Sequence, residues 1–406
     1  MKILYTNFHV GCGGGQDTYV RELALAMSRD HEVTVATPPG SWLGEQIKRL
    51  PRITSVDVEF KPRWYRFWRE TLRLRRLIRE QRFDIVHVNG SPDHRQVMLA
   101  VAGLAVRPEI VFTKHNTYPA NSFGNWLRAS FGTSRTIAVS DYVRTMLRRE
   151  SSYPNIVVIK HGVRSPEAER LNEEERLRRR SALLGASADD SIVLGSAAGT
   201  GAAKGWADLV AALTLLPETT RRRFRVWLAG TAPSIEQRAM VEECGLDAQI
   251  LFTGPINHVH HLLAATDVAF VLSYHESLSY ACREAMAAGC ASLVTKVGGL
   301  PENVTPWVDG WIVPPRDPQA IANVLMHIAD KPERMRHMGH MARMKGRTEF
   351  DFDDFVEATY GVYLDAIAAT ARLQRATPAN LPMRQWLHKL LRIALRRHRR
   401  NQKRAA

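Results

Sequence analysis

The chain has 406 residues, more than one hydrophobic core ordinarily supports, so two domains are the expectation. It is 45% hydrophobic and 24% charged, as in a soluble globular protein, and no apolar run approaches the roughly 20 residues that cross a bilayer. Its net charge of +15 is uneven: residues 371–406 hold eleven Lys and Arg and no acid, leaving +4 on the first 370, a near-neutral body without a nucleic-acid motif.

A strand is expected almost at once, at 3–6, with no room for a signal peptide. The loop Gly11-Cys12-Gly13-Gly14-Gly15 follows, and then a helix with Val20, Leu23, Ala24 and Met27 at i, i+3, i+4 and i+7. Short β-branched runs recur at 33–36, 84–88, 110–113, 136–139 and 156–159. The longest apolar run, 97–106, reads as a buried helix. Residues 164–189 are charged and carry Pro166, which suits a linker and a short solvated helix. A second series of strands is expected at 192–196, 225–229, 250–253, 268–272, 291–295 and 311–313, again with helices between. Two such series predict two doubly wound parallel sheets. Residues 352–369 form a terminal helix, and Thr377-Pro378 breaks the chain before the basic tail. Cys12, Cys244, Cys282 and Cys290 show no CxxC or zinc spacing and read as reduced thiols.

A glycine cluster between a strand and a helix lets backbone amides approach a diphosphate at the positive helix end. A nicotinamide site would also need an acidic residue closing the second strand, but 33–36 runs into Thr37-Pro38-Pro39. Dinucleotide binding is disfavoured, and a tight turn without ligand stays open.

The sharper signal follows strand 268–272. Seven residues separate Glu276 from Glu284, beginning with Ser277, Leu278 and Ser279. A helix beginning near Ser277 would place Glu276 at its mouth and Glu284 about two turns inside, with first-turn amides free for phosphate. Both carboxylates could then bind hydroxyls of one ligand.

With this Glu-x7-Glu go Ala285-Met286-Ala287-Ala288-Gly289 and Val297-Gly298-Gly299-Leu300-Pro301-Glu302. Earlier come Gly14-Gly15, Glu22-Leu23-Ala24, Ile137-Ala138-Val139-Ser140 and Lys204-Gly205, and later Asp309-Gly310-Trp311. In this order, over roughly residues 1–365, the chain resembles the retaining family 4 glycosyltransferases of the GT-B fold. The resemblance implies an α/β chain of two doubly wound Rossmann-like domains facing across a cleft. They would be an acceptor domain over 1–165 and a nucleotide-sugar domain over 166–351. A helix at 352–370 would return to the first domain, and 371–406 would be a basic amphipathic tail.

It also implies transfer of a hexosyl or N-acetylhexosaminyl group from a nucleotide sugar, by family frequency a UDP-sugar, with retention assisted by the donor's phosphate. The acceptor would be a lipid-linked or lipopolysaccharide glycan. Glu276 and His115 are the expected catalytic residues. Gly14, Gly15, Lys204, Glu276, Ser277, Leu278, Ser279 and Glu284 are expected to bind the donor. Lys204 would neutralise the leaving diphosphate. Two positions depart from the family: Thr200 stands where an Arg is usual, which leaves Lys296 as a substitute cation, and His161 stands for Asn before Gly162. An epimerase-like enzyme and a catalytically silent scaffold are the alternatives.

No metal or other cofactor is expected. His258, His260 and His261 lack a metal-binding pattern, and Asp351-Phe352-Asp353 suits helix capping. Two segments pair arginines with apolar residues at helical spacing. Between Arg63 and Arg79, Arg66, Arg69, Arg73 and Arg76 form a stripe, with Trp64, Phe67, Leu74 and Ile78 largely on another face. In the tail from Met383 to Ala406, Leu387, Leu390, Leu391 and Ala394 oppose Arg384, His388, Arg392, Arg396 and Arg399. Both suit an anionic membrane surface, so a peripheral location on the cytoplasmic face is expected, with no nucleic-acid partner. A packed surface helix, for the first, and a solubilising arm, for the second, remain open.

Overall fold

Short runs of Val, Ile and Leu without polar alternation are buried on both faces, which requires parallel sheets covered by helices. The computed structural model contains two such sheets and describes residues 1–11, 13–164, 178–182, 191–256 and 259–376. Cys12, His258, most of 164–189 and the tail 383–406 lie outside the described residues.

The first unit comprises Met1–Lys160 and the terminal helix from Phe355. Its strands are β1 (Lys2–Thr6), β2 (Glu32–Thr37), β3 (Ile53–Asp57), β4 (Ile85–Val88), β5 (Glu109–Lys114), β6 (Arg135–Ala138) and β7 (Ile156–Val158), in spatial order β3-β2-β1-β4-β5-β6-β7. The second unit, His161–Asp354, holds β8 (Ile192–Ser196), β9 (Phe224–Ala229), β10 (Ile250–Gly254), β11 (Val268–Val271), β12 (Ala291–Thr295) and β13 (Gly310–Val313), in order β10-β9-β8-β11-β12-β13. Every pairing is parallel. Both are doubly wound sheets. Each reverses its strand order once, between β1 and β4 and between β8 and β11.

The central strands follow the predicted pattern. All four residues of β4 and of β11 are buried, and so are all five of β12. β3 is absent from the predicted set because it is an edge strand paired only with β2. Thr54 and Ser55 can face water there, so its residues lack an apolar signature.

The helix Gly15–Met27 buries Val20, Leu23, Ala24 and Met27, the predicted stripe. The terminal helix, Phe352–Ala376, buries Phe352, Phe355, Thr359, Val362, Tyr363 and Ala366 along one face. Its start is capped by Asp351, whose Oδ1 accepts the amides of Asp353 at 2.8 Å and Asp354 at 2.9 Å. The basic segment begins as a 3-10 turn, Trp64–Arg66, before the helix Phe67–Gln81. The change of pitch corrects the expected faces. Leu74 and Ile78 are buried, whereas Trp64 is 87% exposed and joins Tyr65, Trp68 and Leu72 in an exposed apolar group among arginines. No helix of the described residues is long and apolar enough to cross a membrane.

In the second unit, the helices Tyr280–Ala288 and Pro332–Thr348 approach so closely that a Cβ on Gly339 would lie 2.4 Å from the Gly289 carbonyl oxygen. Gly339→Ala should therefore destabilise by about 1–3 kcal/mol, the range for overpacking against atoms that cannot yield. Gly361, on the exposed face of the terminal helix, has nothing among the described residues within 4 Å of its missing Cβ. Gly361→Ala should stabilise by about 0.5–1 kcal/mol through helix propensity alone. Scanning calorimetry of both variants tests the pair; equal shifts of the same sign would refute the packing argument.

Candidate active site

In an open parallel sheet, loops leaving adjacent strands on either side of the order reversal diverge and open a crevice at the carboxyl ends. In the second unit those loops follow β8 and β11, and they carry Lys204 and Glu276. Their approach is built from backbone. Gly205, at φ +67°, sits where a Cβ would meet the Leu272 carbonyl oxygen at 2.0 Å, and the Tyr274 amide donates to the Ala203 carbonyl at 2.9 Å. The result is an ion pair from Lys204 Nζ to Glu276 Oε2 at 3.3 Å, with the side chains 35% and 17% exposed. The other carboxylate oxygen, Oε1, accepts the Ser277 amide at 3.2 Å. A cation and a carboxylate thus meet at the mouth of the crevice, both still reachable from solvent.

The helix after Glu276 starts later than expected, at Tyr280, because Ser279 is its N-cap. Ser279 adopts φ +78°, strained for a residue with a Cβ, and its Oγ accepts the Cys282 amide at 3.3 Å. Residues 276–278 therefore form a loop, and Glu284 stands in the second turn of the helix, half-buried. Leu278 is fully buried and its carbonyl accepts Asn303 Nδ2, so its side chain offers no surface to a ligand.

Next to Glu284, Arg283 is 1% exposed and fixes the helix from inside. Its Nε donates to Asn303 Oδ1 at 2.9 Å and its Nη1 to the His161 carbonyl at 2.5 Å, with the guanidinium 4.1 Å over the Phe350 ring. Burial pulls its pKa down to about 10, still charged at neutral pH. The His161 ring stacks on Tyr280 at 4.5 Å, a contact of two aromatic planes that accounts for a histidine at this position.

Thr200 supplies no charge and is not idle. It is buried, its Oγ1 donates to the Thr231 carbonyl at 2.5 Å, and its own carbonyl accepts the Trp206 indole at 2.8 Å. It ties the β8 loop to the loop after β9. Lys296 is exposed directly after β12, at the carboxyl end of the same sheet. His260 and His261 lie on the short helix Val259–Ala264, and no metal-holding group of His, Cys, Asp and Glu occurs among the described residues.

In the first unit the glycine loop caps the helix Gly15–Met27. The Gly14 amide is already engaged: it donates to Asp17 Oδ2 at 3.1 Å, and Asn7 Nδ2 donates to Oδ1 at 2.5 Å. Asp17 is 2% exposed and also faces His9 Nδ1 at 3.7 Å. The buried carboxylate occupies the amide that the sequence reading offered to phosphate. Among the described residues nothing lies within 4 Å of a Cβ on Gly14, and Gly15 beside it is exposed. Phe8, His9, Val10, Gly11, Gly14, Asp17, Glu59 and Lys61 line a pocket of about 460 Å³ there.

His115, directly after β5, stands in a polar network that the sequence reading missed. Its Nε2 lies 2.8 Å from Asn89 Oδ1, and its ring meets Tyr19 edge-on at 4.6 Å. Beside it His87 bridges Thr113 Oγ1 and Tyr363 Oη, each at 2.6 Å, and Tyr363 reaches Tyr5 Oη at 3.0 Å. Burial drives the His87 pKa down to about 3 and pushes Asp93 up to about 6. The signal for this network was His87, a polar residue in the otherwise apolar strand β4, with Asn89 directly after the strand.

Comparisons with known proteins agree with this architecture. The model of Glycosyltransferase Family 4 matches residues 13–165 and that of Glycosyl transferases group 1 matches 185–345. Among curated relatives, N-acetyl-alpha-D-glucosaminyl L-malate synthase of Bacillus anthracis is 29% identical over 128 residues, 32% of this chain and 34% of that protein. D-inositol 3-phosphate glycosyltransferase of Streptomyces griseus is 36% identical over 112 residues, 28% of this chain and 24% of that protein. The chain thus spans about a third or less of the length of these relatives. Among solved structures, Anabaena HepE in complex with UDP and glucose superposes with a TM-score of 0.77 at 18% identity, covering 89% of this chain and 99% of that one. WaaG, a glycosyltransferase involved in lipopolysaccharide biosynthesis, gives 0.70 at 17% identity, covering 89% and 99%. With a Family 4 domain followed by a group 1 domain, the chain belongs to the glycosyltransferases of the GT-B fold.

Proposed function

We propose that this chain transfers a sugar from a nucleotide-sugar donor, a UDP-sugar, to a hydroxyl of a lipid-linked glycan, with retention at the anomeric carbon. The observation that carries the reading is the Lys204–Glu276 pair at the strand-order reversal of the second sheet. A diphosphate arriving there competes for the ammonium of Lys204 and releases Glu276 to hydrogen-bond sugar hydroxyls. Glu284, in the second turn of the next helix, is assigned to the ribose hydroxyls. The backbone at Ser277 and Leu278 and the capping Ser279 flank the phosphates. In the first unit, Gly14 and Gly15 are assigned to donor binding and His115 to the transfer step.

As the bond from the anomeric carbon to the diphosphate breaks, negative charge collects on the leaving phosphate, where Lys204 stabilises it. The acceptor oxygen attacks from the same face, and its proton passes to the departing phosphate oxygen. The new glycosidic bond then keeps the donor's configuration. The glutamates hold the donor and do not act as the acid and nucleophile of a glycosidase. Lys204 supplies the charge at the diphosphate, so no metal is assigned to the reaction. UDP and glucose held by HepE, and the glycosyltransferase and synthase relatives, support donor and reaction class.

We assign the acceptor side to an anionic membrane on its cytoplasmic face. Trp64, Tyr65, Trp68 and Leu72 are exposed beside Arg69 and Arg73, whose side chains are 69% and 59% exposed. Residues 383–406 add a second cationic amphipathic segment.

A thermal-shift panel of UDP-, GDP- and ADP-sugars should show stabilisation by the UDP-sugars first. Lys204→Ala should lower transfer by about 100-fold or more, the scale of losing one charge-stabilising donor, with little change in melting temperature. Glu284→Ala should weaken donor binding by roughly 1.5–3 kcal/mol, read by calorimetry. NMR of the product should show the donor's anomeric configuration, with activity surviving EDTA. Free epimerised sugar without acceptor would identify an epimerase instead, and no binding of any sugar nucleotide would identify a silent scaffold.

For the membrane, the full chain should sediment with phosphatidylglycerol vesicles at low salt and less at high salt. Each Lys or Arg at an anionic surface contributes about 1 kcal/mol, so deleting 383–406 should reduce sedimentation strongly and leave turnover of a soluble acceptor intact. If that deletion changes nothing, a Trp64→Ser, Trp68→Ser double variant should abolish binding. Vesicles that pellet neither form would end the membrane assignment.

A further inference from the structure

The orientation of the Asn89 side chain decides which nitrogen of His115 carries the proton. Asn89 Nδ2 donates to the Thr6 carbonyl at 3.0 Å and to the His87 carbonyl at 3.4 Å, two acceptors that only an NH₂ group can satisfy. Its Oδ1 is therefore the atom that faces the imidazole, 2.8 Å from His115 Nε2. An amide oxygen cannot donate, so Nε2 must carry a proton. The backbone holds Asn89 in place: its own amide donates to Asp93 Oδ2 at 2.9 Å, and Thr6 Oγ1 donates to the same oxygen at 2.7 Å. Thr6 ends β1 and Asn89 follows β4, the two strands that flank the order reversal of the first sheet.

We propose that Asn89 is a positioning residue that fixes His115 as the neutral Nε2–H tautomer, with the ring's lone pair on Nδ1. The geometry is supported by the electrostatics. Burial first, and then the neighbouring His87, His9 and Lys114, hold the His115 pKa well below the usual histidine range, so the ring keeps a single proton at neutral pH. Tyr19 packs edge-on against the ring at 4.6 Å, with its hydroxyl 3.3 Å from Thr113 Oγ1, and so opposes a flip that would put Cε1 in place of Nε2 opposite Asn89. A ring so held carries no charge and cannot stabilise a diphosphate as a cation. That task is left to Lys204. The part His115 plays in transfer rests on the proposed transferase reading; the tautomer does not.

The test is made on the full-length chain labelled with ¹⁵N-histidine, with His115 identified by the signals lost in His115→Gln. Long-range ¹H–¹⁵N correlation should show a protonated Nε2 and an unprotonated Nδ1 from pH 6 to pH 8. A protonated Nδ1, or a ring carrying two protons at pH 7, would overturn the proposal, and this reading needs no activity. Asn89→Ala should mix the tautomers in the same spectrum. In transfer assays Asn89→Ala should lower kcat at least tenfold with donor KM changed less than threefold, and should cost less than twofold in a His115→Gln background. Losses that multiply in the double variant would show that Asn89 does not act through His115. If the wild type transfers no sugar, the transferase reading fails, and the spectrum still decides the tautomer.

Discussion

Both halves of the molecule depend on one topological constraint, the single reversal of strand order in each parallel sheet. Neighbouring parallel strands lie about 4.8 Å apart, so loops leaving two adjacent strands start almost in contact and separate only as they turn to opposite faces. After β8 and β11 that proximity is drawn tighter by Gly205 against the Leu272 carbonyl and by the Tyr274 amide on Ala203. Lys204 and Glu276 lie 72 residues apart in the chain, and this backbone packing is what lets their side chains meet. After β1 and β4 the same reversal brings Thr6 to Asp93 and Asn89.

The first-sheet site is held by polar groups out of water, a construction that is stable only when partners are supplied. An unsatisfied buried donor or acceptor costs about 1–3 kcal/mol, and the chain Tyr5–Tyr363–His87–Thr113–Tyr19 leaves each member bonded at 2.6–3.3 Å. Tyr363 is contributed by the terminal helix, which thereby completes the network beneath His115. Asp93 Oδ1 is the exception, buried without a partner. Desolvation of that carboxyl is what raises its pKa to about 6.

Much of this was legible from the residues. Central strands announce themselves because both faces are buried, and a helix after Glu276 was expected, although Glu284 lies one turn inside it rather than two. What was not legible has specific causes. β3 is an edge strand whose exposed side carries Thr54 and leaves no apolar period. The helix start moved from Ser277 to Tyr280 because Ser279 caps it from a left-handed conformation that no propensity favours. The glycine loop read as an amide donor, yet Asp17, three residues on, takes the Gly14 amide for itself. Thr200 looked like a lost cation, but its role is a buried tie to Thr231 that depends on a tertiary neighbour 31 residues away. Asn89 shows in the sequence as a polar residue after an apolar strand, but its role is hidden for the same reason: its partners come from β1, β4 and the end of β5.

The weakness of the Lys204–Glu276 pair fits the proposed role. Pairs with this much exposure to water contribute about 0–1 kcal/mol, so a diphosphate displaces the carboxylate at little cost. A fully buried pair would resist, since separating it strands a charge at several kcal/mol. The pair nonetheless restrains both side chains beside backbone that the Gly205 and Tyr274 contacts keep rigid. On the proposed reading, donor binding exchanges one partner of Lys204 for another without rebuilding the loop, which is what preorganisation requires at a site where charge develops late in the reaction.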